Sequence, residues 1–314
     1  MIPFVLVLLF SFLQAQIEKD LTHTPVIGVL SLPCDNDDIT KGEYIEVYYS
    51  QYLNSAGAKV VPISFKLEGE ELKNLMKKLN GIFFTGGGAD FVYYDDEAKE
   101  YELTEVGKIS VEIYKIAREF NDEGVYYPIW GTCMGFQLLA FLASMNPLIP
   151  KLHCDCQGYY AELYFFPEAH TSKMFSVFTK EEIKAFIEEK LTLNAHSYYV
   201  DCLDFFENPR LDEEFKILAG SLDKNEALPF IAAMEGRKYP FYGVQFHPEL
   251  RQYEQSKRAP ELKYVKLAQK FANFFVDEAR KSSHRMSIKE SIALSIWNTP
   301  VNQSRIGRFI YFYP

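Results

Sequence analysis

The 314-residue chain is poor in cysteine, with five, and in tryptophan, with two. Five cysteines are too few for a disulfide scaffold, so a chain of this length must be held by an apolar core. A basic excess is also missing. Lys and Arg number 33 against 43 Asp and Glu, a net charge of −10, and this argues against a nucleic-acid partner. No internal repeat, low-complexity tract or Pro/Ser linker interrupts the sequence, so residues 17–314 read as one domain. Charged side chains are absent from residues 1–15. That apolar run is too short to span a bilayer and ends in Leu13-Gln14-Ala15, so a signal peptide over residues 1–16 is expected, leaving no membrane segment.

Hydrophobic residues make up 48% of the chain and charged residues 24%, enough for a sizeable globular core. The order of elements fixes the class. Val26 to Leu30 is a continuous apolar run suited to a buried parallel strand. Ile45, Tyr48, Tyr49, Tyr52, Leu53 and Ala56 recur at helical spacing, and Gly57 closes that helix. Val60 to Ile63 is a second strand, Leu72 to Leu79 a second helix, and Gly81 to Phe84 a third strand running into Thr85-Gly86-Gly87-Gly88. This βαβαβ opening predicts an α/β fold with a mostly parallel central sheet flanked by helices. Val106 to Phe120 is amphipathic. Residues 147–229 read as short strands, one helix over 181–190 and aromatic loops. Ala259 to Arg280 is a further helix, and Phe309 to Tyr313 has the character of an edge strand.

The pattern centres on Gly131-Thr132-Cys133-Met134-Gly135. Val125 to Trp130 reads as a strand before it, and the almost wholly apolar Met134 to Met145 as a buried helix after it. A strand, a sharp turn with glycines flanking one nucleophile, and a helix form a nucleophile elbow. The helix N-terminus beneath Cys133 favours the thiolate. Alone, the motif fits a structural cysteine equally well. A second stretch, Tyr242 to Glu249, is an apolar strand that ends in His247 and Glu249. A thiol nucleophile needs a base, and the base needs a carboxylate to orient it and stabilise its cation. His247 and Glu249 supply both.

These motifs together resemble the class I glutamine amidotransferase-like (flavodoxin-like) domains, and within them the γ-glutamyl hydrolase family, from about Pro25 to about Lys281. Supporting stretches are Pro25 to Leu30, Tyr52 to Ala58, Trp130 to Phe136 and Met234 to Pro240. The resemblance implies hydrolysis of γ-glutamyl amides on poly-γ-glutamyl substrates, such as folates, through a Cys133 thioester, with no cofactor. It implies an oxyanion hole from the Gly87 or Gly88 N–H and the Met134 N–H, and substrate contacts from His196 and Tyr49. The inner face of an amphipathic helix accounts for Tyr49 at least as well, and His196 has the alternative of a surface or core histidine. The resemblance also implies a lysosomal, vacuolar or secreted protein, and a homodimer. One residue departs from the family. Gln137 stands four residues after the nucleophile, where the hydrolases usually carry Glu and amidotransferases often carry Gln. A glutaminase therefore remains an alternative, as does a silent binding protein on the same fold.

A polyanionic tail calls for cations near the cleft, and Lys151, Arg237, Lys238 and Arg251 are candidates. Cys34, Cys154, Cys156 and Cys202 can pair in several ways. Cys154-Asp155-Cys156 beside His153 lacks a second ligand pair at suitable spacing, so no metal site is expected. Asn302-Gln303-Ser304 is a sequon for N-glycosylation.

Overall fold

The structure, a computed structural model, describes residues 24–34, 42–253, 261–303 and 309–313. The signal-peptide expectation lies outside these residues, as does the Arg251 side chain. Among the described residues no helix is long and apolar enough to cross a membrane.

The strands named here are β1 (Val26–Leu30), β2 (Lys59–Ile63), β3 (Gly81–Phe84), β4 (Val92–Asp95), β5 (Glu100–Leu103), β6 (Ile129–Thr132), β7 (Lys151–Ala161), β8 (Tyr164–Phe165), β9 (Thr192–Tyr199), β10 (Phe215–Leu222), β11 (Pro229–Gly236) and β12 (Phe241–Val244). The helices are α1 (Val47–Ser55), α2 (Gly69–Met76), α3 (Glu105–Asp122), α4 (Met134–Ser144) and α5 (Leu262–Arg280). The central sheet runs β8-β10-β11-β12-β6-β3-β1-β2. From β2 to β12 all neighbours are parallel, and the β11, β10 and β8 side is antiparallel.

The apolar runs become strands because both faces of the sheet are covered, so every position of β1, β3, β6 and β12 is buried. Successive side chains of β3 separate accordingly. Ile82 and Phe84 join the core under α2, α3 and α4, while Phe83 joins the core under α1 and α5.

Four expectations need correction. The strand before the nucleophile begins at Ile129, not Val125. Val125 N–H bonds back to Phe120 and Tyr127 N–H to Asn121 Oδ1, so this segment is tied to the end of α3. Ile45 lies in a strand, Glu43–Glu46, and the helix starts at Val47. Phe309–Tyr313 is not an edge strand. It lies between Val301–Gln303 and Glu43–Glu46 in a separate four-stranded sheet. Finally, residues 147–229 hold more regular structure than expected. β7 and β9 form a long antiparallel pair. Besides the expected helix, at Lys180–Glu188, there are two 3-10 turns, Pro167–Thr171 and Phe175–Val177, and two short α-helices, Cys202–Glu207 and Pro209–Glu214, capped by the Asp201 and Asn208 side chains.

Candidate active site

Cys133 stands between β6 and α4 with φ 52° and ψ −106°, a left-handed backbone that a side chain seldom adopts. The turn is this tight because two glycines let backbones meet. A Cβ on Gly131 would sit 2.3 Å from the Gly135 carbonyl oxygen, and one on Gly135 2.2 Å from that of Phe84. The Cys133 N–H donates to the Val244 carbonyl at 2.9 Å, so the parallel β6–β12 ladder fixes Cys133. The same ladder fixes His247. Val244 pairs with Thr132, and β12 runs on to His247, whose N–H donates to the Leu193 carbonyl at 2.8 Å.

His247 Nδ1 lies 2.7 Å from Glu249 Oε1, which leaves Nε2 free to serve Cys133, whose charge acts on the imidazole. All three side chains are buried. Burial opposes a charge on His247, but the Cys133 and Glu249 charges outweigh it and hold the imidazole well above its ordinary value. Among the described residues Glu249 Oε2 has no hydrogen-bond partner. The imidazolium is therefore the main compensation for this carboxylate.

Tyr49 reaches the same centre. Its buried hydroxyl accepts the Gly86 N–H at 2.8 Å. A Cβ on Gly86 would lie 2.4 Å from that hydroxyl, 3.0 Å from His247 Cε1 and 3.3 Å from Cys133 Cβ. Burial and then the Glu249, Glu46 and Cys133 charges push the Tyr49 phenol well up, so it stays a neutral hydroxyl. Gly87, Gly88 and Met134 line a cleft of about 520 Å³ together with Gln137, Lys151 and Tyr198. Met134 is the first residue of α4, so its N–H has no acceptor within the helix.

His196 is buried, near His247, and is not among the cleft-lining residues. Nδ1 is 2.8 Å from the Tyr198 carbonyl and Nε2 is 3.3 Å from Asn194 Oδ1. Burial lowers it to about 3; the Tyr198 carbonyl opposes this and the charge of nearby His247 adds to it. Gln137 Nε2 donates to the Tyr198 carbonyl at 2.8 Å and to Gln245 Oε1 at 3.1 Å. No motif singled out Gln245, yet it follows β12 directly, one residue beyond the pairing that positions Cys133.

The cation candidates separate. Lys151 lines the cleft and pairs with Asp204 at 3.0 Å. Arg237 and Lys238 precede β12, at the opposite end of the sheet from Cys133, and are tied to Glu168 and Asp212 and to Asp122. They do not reach the cleft. Of the cysteines, Cys154 and Cys156 form a disulfide, while Cys34, Cys133 and Cys202 are free.

The Peptidase C26 family model matches residues 25–249. The chain is 34% identical to γ-glutamyl hydrolase of Homo sapiens over 303 residues, covering 94% of this chain and 90% of that protein. It is 34% identical to the Bos taurus γ-glutamyl hydrolase over 298 residues (92% and 89%), and 30% identical to γ-glutamyl hydrolase 1 of Arabidopsis thaliana over 291 residues (90% and 79%). Among solved structures, the glutaminase domain of Trypanosoma brucei CTPS with bound acivicin superposes with a TM-score of 0.50 at 16% identity, over 85% of this chain and 99% of that one. That likeness is one of fold. The elbow, the His-Pro-Glu strand end and this extent of identity place the chain in the peptidase C26 family.

Proposed function

We infer that this chain is a γ-glutamyl hydrolase in which Cys133, His247 and Glu249 carry the reaction. The observation that carries the reading is the buried cluster in which Glu249 holds His247 at 2.7 Å and both His247 and Cys133 crowd the same Gly86. Cys133 attacks the γ-carbonyl of a glutamyl amide. The proton held on His247 goes to the leaving amine, and the thioester then yields to water with His247 as base. The oxyanion sits between the Met134 N–H and that of Gly87 or Gly88. A donor of this kind is worth about 3 kcal/mol in the transition state. The Gly86 N–H is spent on Tyr49, which pins the loop that presents Gly87 and Gly88 to the cleft.

The substrate class we propose is the poly-γ-glutamyl tail, typically of folates. The name shared by the relatives supports the γ-glutamyl bond, and Lys151 at the cleft wall supplies one cation for an anionic tail. The apolar leader points to the secretory pathway, with the lysosome, the vacuole or the exterior as destination. Incubation with folate pentaglutamate, read by mass spectrometry, tests the activity. Shortened folates with free glutamate or γ-glutamyl peptides, absent with Cys133→Ala, are expected. A second reading, a glutaminase, rests on Gln137, which lines the cleft where the family usually has Glu. Ammonia from free glutamine, with folate polyglutamate left intact, would establish it instead.

A further inference from the structure

The Cys154–Cys156 disulfide plays no part in the chemistry above, yet it lies against His196. Both cysteines are on β7, and the β7–β9 register sets His196 directly across from Cys156. The register then slips between His196 and Tyr198, and this irregularity brings Cys154 to the same imidazole. Cys154 Sγ is 3.5 Å from His196 Nδ1 and 3.9 Å from the His196 carbonyl oxygen. The two sulfurs and a ring nitrogen of His196 all lie within 4.8 Å of one another, and all three residues are buried.

The imidazole has a further peculiarity. Nδ1 faces the Tyr198 carbonyl at 2.8 Å and Nε2 faces Asn194 Oδ1 at 3.3 Å, while the Asn194 amide nitrogen is turned to the Thr192 carbonyl. Both ring nitrogens thus meet acceptors, but a neutral ring has one N–H to give. A cation on Nδ1 would remove the conflict, because Nε2–H would then donate to Asn194. A histidine bound to metal through one nitrogen ordinarily makes such a bond with the other.

We propose that Cys154, Cys156 and His196 form a redox-gated site for a soft divalent cation such as Zn²⁺, closed by the disulfide and opened by a dithiol reductant. Disulfide sulfurs lack the thiolate charge that binds metal. The dithiol supplies two electrons and two protons, becomes a cyclic disulfide, and leaves two thiols. Binding of the cation releases those two protons and forms two thiolate bonds and one imidazole bond. Three protein ligands leave a fourth position for water.

The probe is Co²⁺, added to full-length Cys133→Ala protein so that the catalytic thiol cannot compete. One sample is reduced with dithiothreitol and desalted without air; the other is left oxidised. The reduced sample is expected to bind one Co²⁺ with a thiolate-to-metal charge-transfer absorption, and the oxidised sample to show none. Adding Cys156→Ser should weaken binding at least about 100-fold, more than loss of an outer hydrogen bond costs. Equal absorption in oxidised and reduced protein, or full absorption with Cys156→Ser, would overturn the proposal by placing the metal elsewhere. Should that variant not fold, alkylation of the reduced protein decides. Saturating Zn²⁺ must protect Cys154 and Cys156 from iodoacetamide, and unprotected thiols would equally sink the idea.

Discussion

His247 and His196 are neighbouring buried histidines driven in opposite directions. Both lose water, and burial alone disfavours the imidazolium. His247 gains the Cys133 and Glu249 charges and ends well above its ordinary value. His196 gains a carbonyl, feels the charge of His247, and falls to about 3. The contrast teaches that burial alone does not raise an imidazole. Anionic partners do, and here the elbow supplies one and the strand end the other.

Removing one anion is the most severe way to break the contrast. Cys133→Ala deletes the bond-forming atom, so hydrolysis should vanish while the fold persists. It also removes a charge that raises His247. The His247 imidazole should therefore titrate lower in this variant, as followed by NMR. An unchanged titration would show that Glu249 alone sets it.

Glu249→Gln comes next. It keeps the shape but removes the charge and leaves His247 free to take the wrong tautomer. A loss of about 10³–10⁴-fold in kcat is expected, by analogy with the carboxylate of serine hydrolases. A loss under tenfold in steady-state assays would mean that Cys133 supports the imidazolium unaided.

The same two residues predict opposite pH dependences of stability. His196 has a folded pKa below its unfolded value of 6.5. The unfolded chain therefore binds the extra proton, and stability falls as pH drops from about 6.5 toward 3. At pH 4.5 this amounts to about 2–3 kcal/mol. For His247, raised when folded, the contribution is fully present below 6.5 and is lost as pH rises through the folded value. Urea midpoints of wild type and His196→Gln at pH 7 and pH 4.5 separate the two. The variant should show the shallower acid loss, and parallel curves would refute the assignment to His196.

How much of this contrast was legible in the sequence depends on distance along the chain. The βαβαβ opening and the elbow are local patterns, and β1, β3 and α4 fall where periodicity puts them. That Cys133, His247 and Glu249 come together was legible because the proposed chemistry needs those residue types after apolar strands. The pairing of Cys156 with His196 was not, because antiparallel register joins residues 40 apart and leaves no spacing rule to read. Arg237 and Lys238 misled for a related reason. They flank a familiar motif, but β12 carries the chain from one end of the sheet to the other between them and His247. The start of β6 was misread because Tyr127 is as apolar as a strand residue, while its N–H goes to the Asn121 side chain.

Tyr49 sharpens the comparison by the smallest amount. It touches the raised histidine's environment without exchanging a proton, since its phenol is held neutral. Its hydroxyl is the acceptor for the Gly86 N–H. Tyr49→Phe would leave that buried N–H unpaired, a cost of about 1–3 kcal/mol, and would loosen the loop ahead of Gly87 and Gly88. If those N–H groups serve the oxyanion, kcat should fall about tenfold, since they act most strongly in the transition state. KM should change little. The pH profile set by His247 should keep its shape, because neither Cys133 nor Glu249 is altered. A rise in KM at constant kcat would instead make Tyr49 a substrate contact, the role implied by its position in the family.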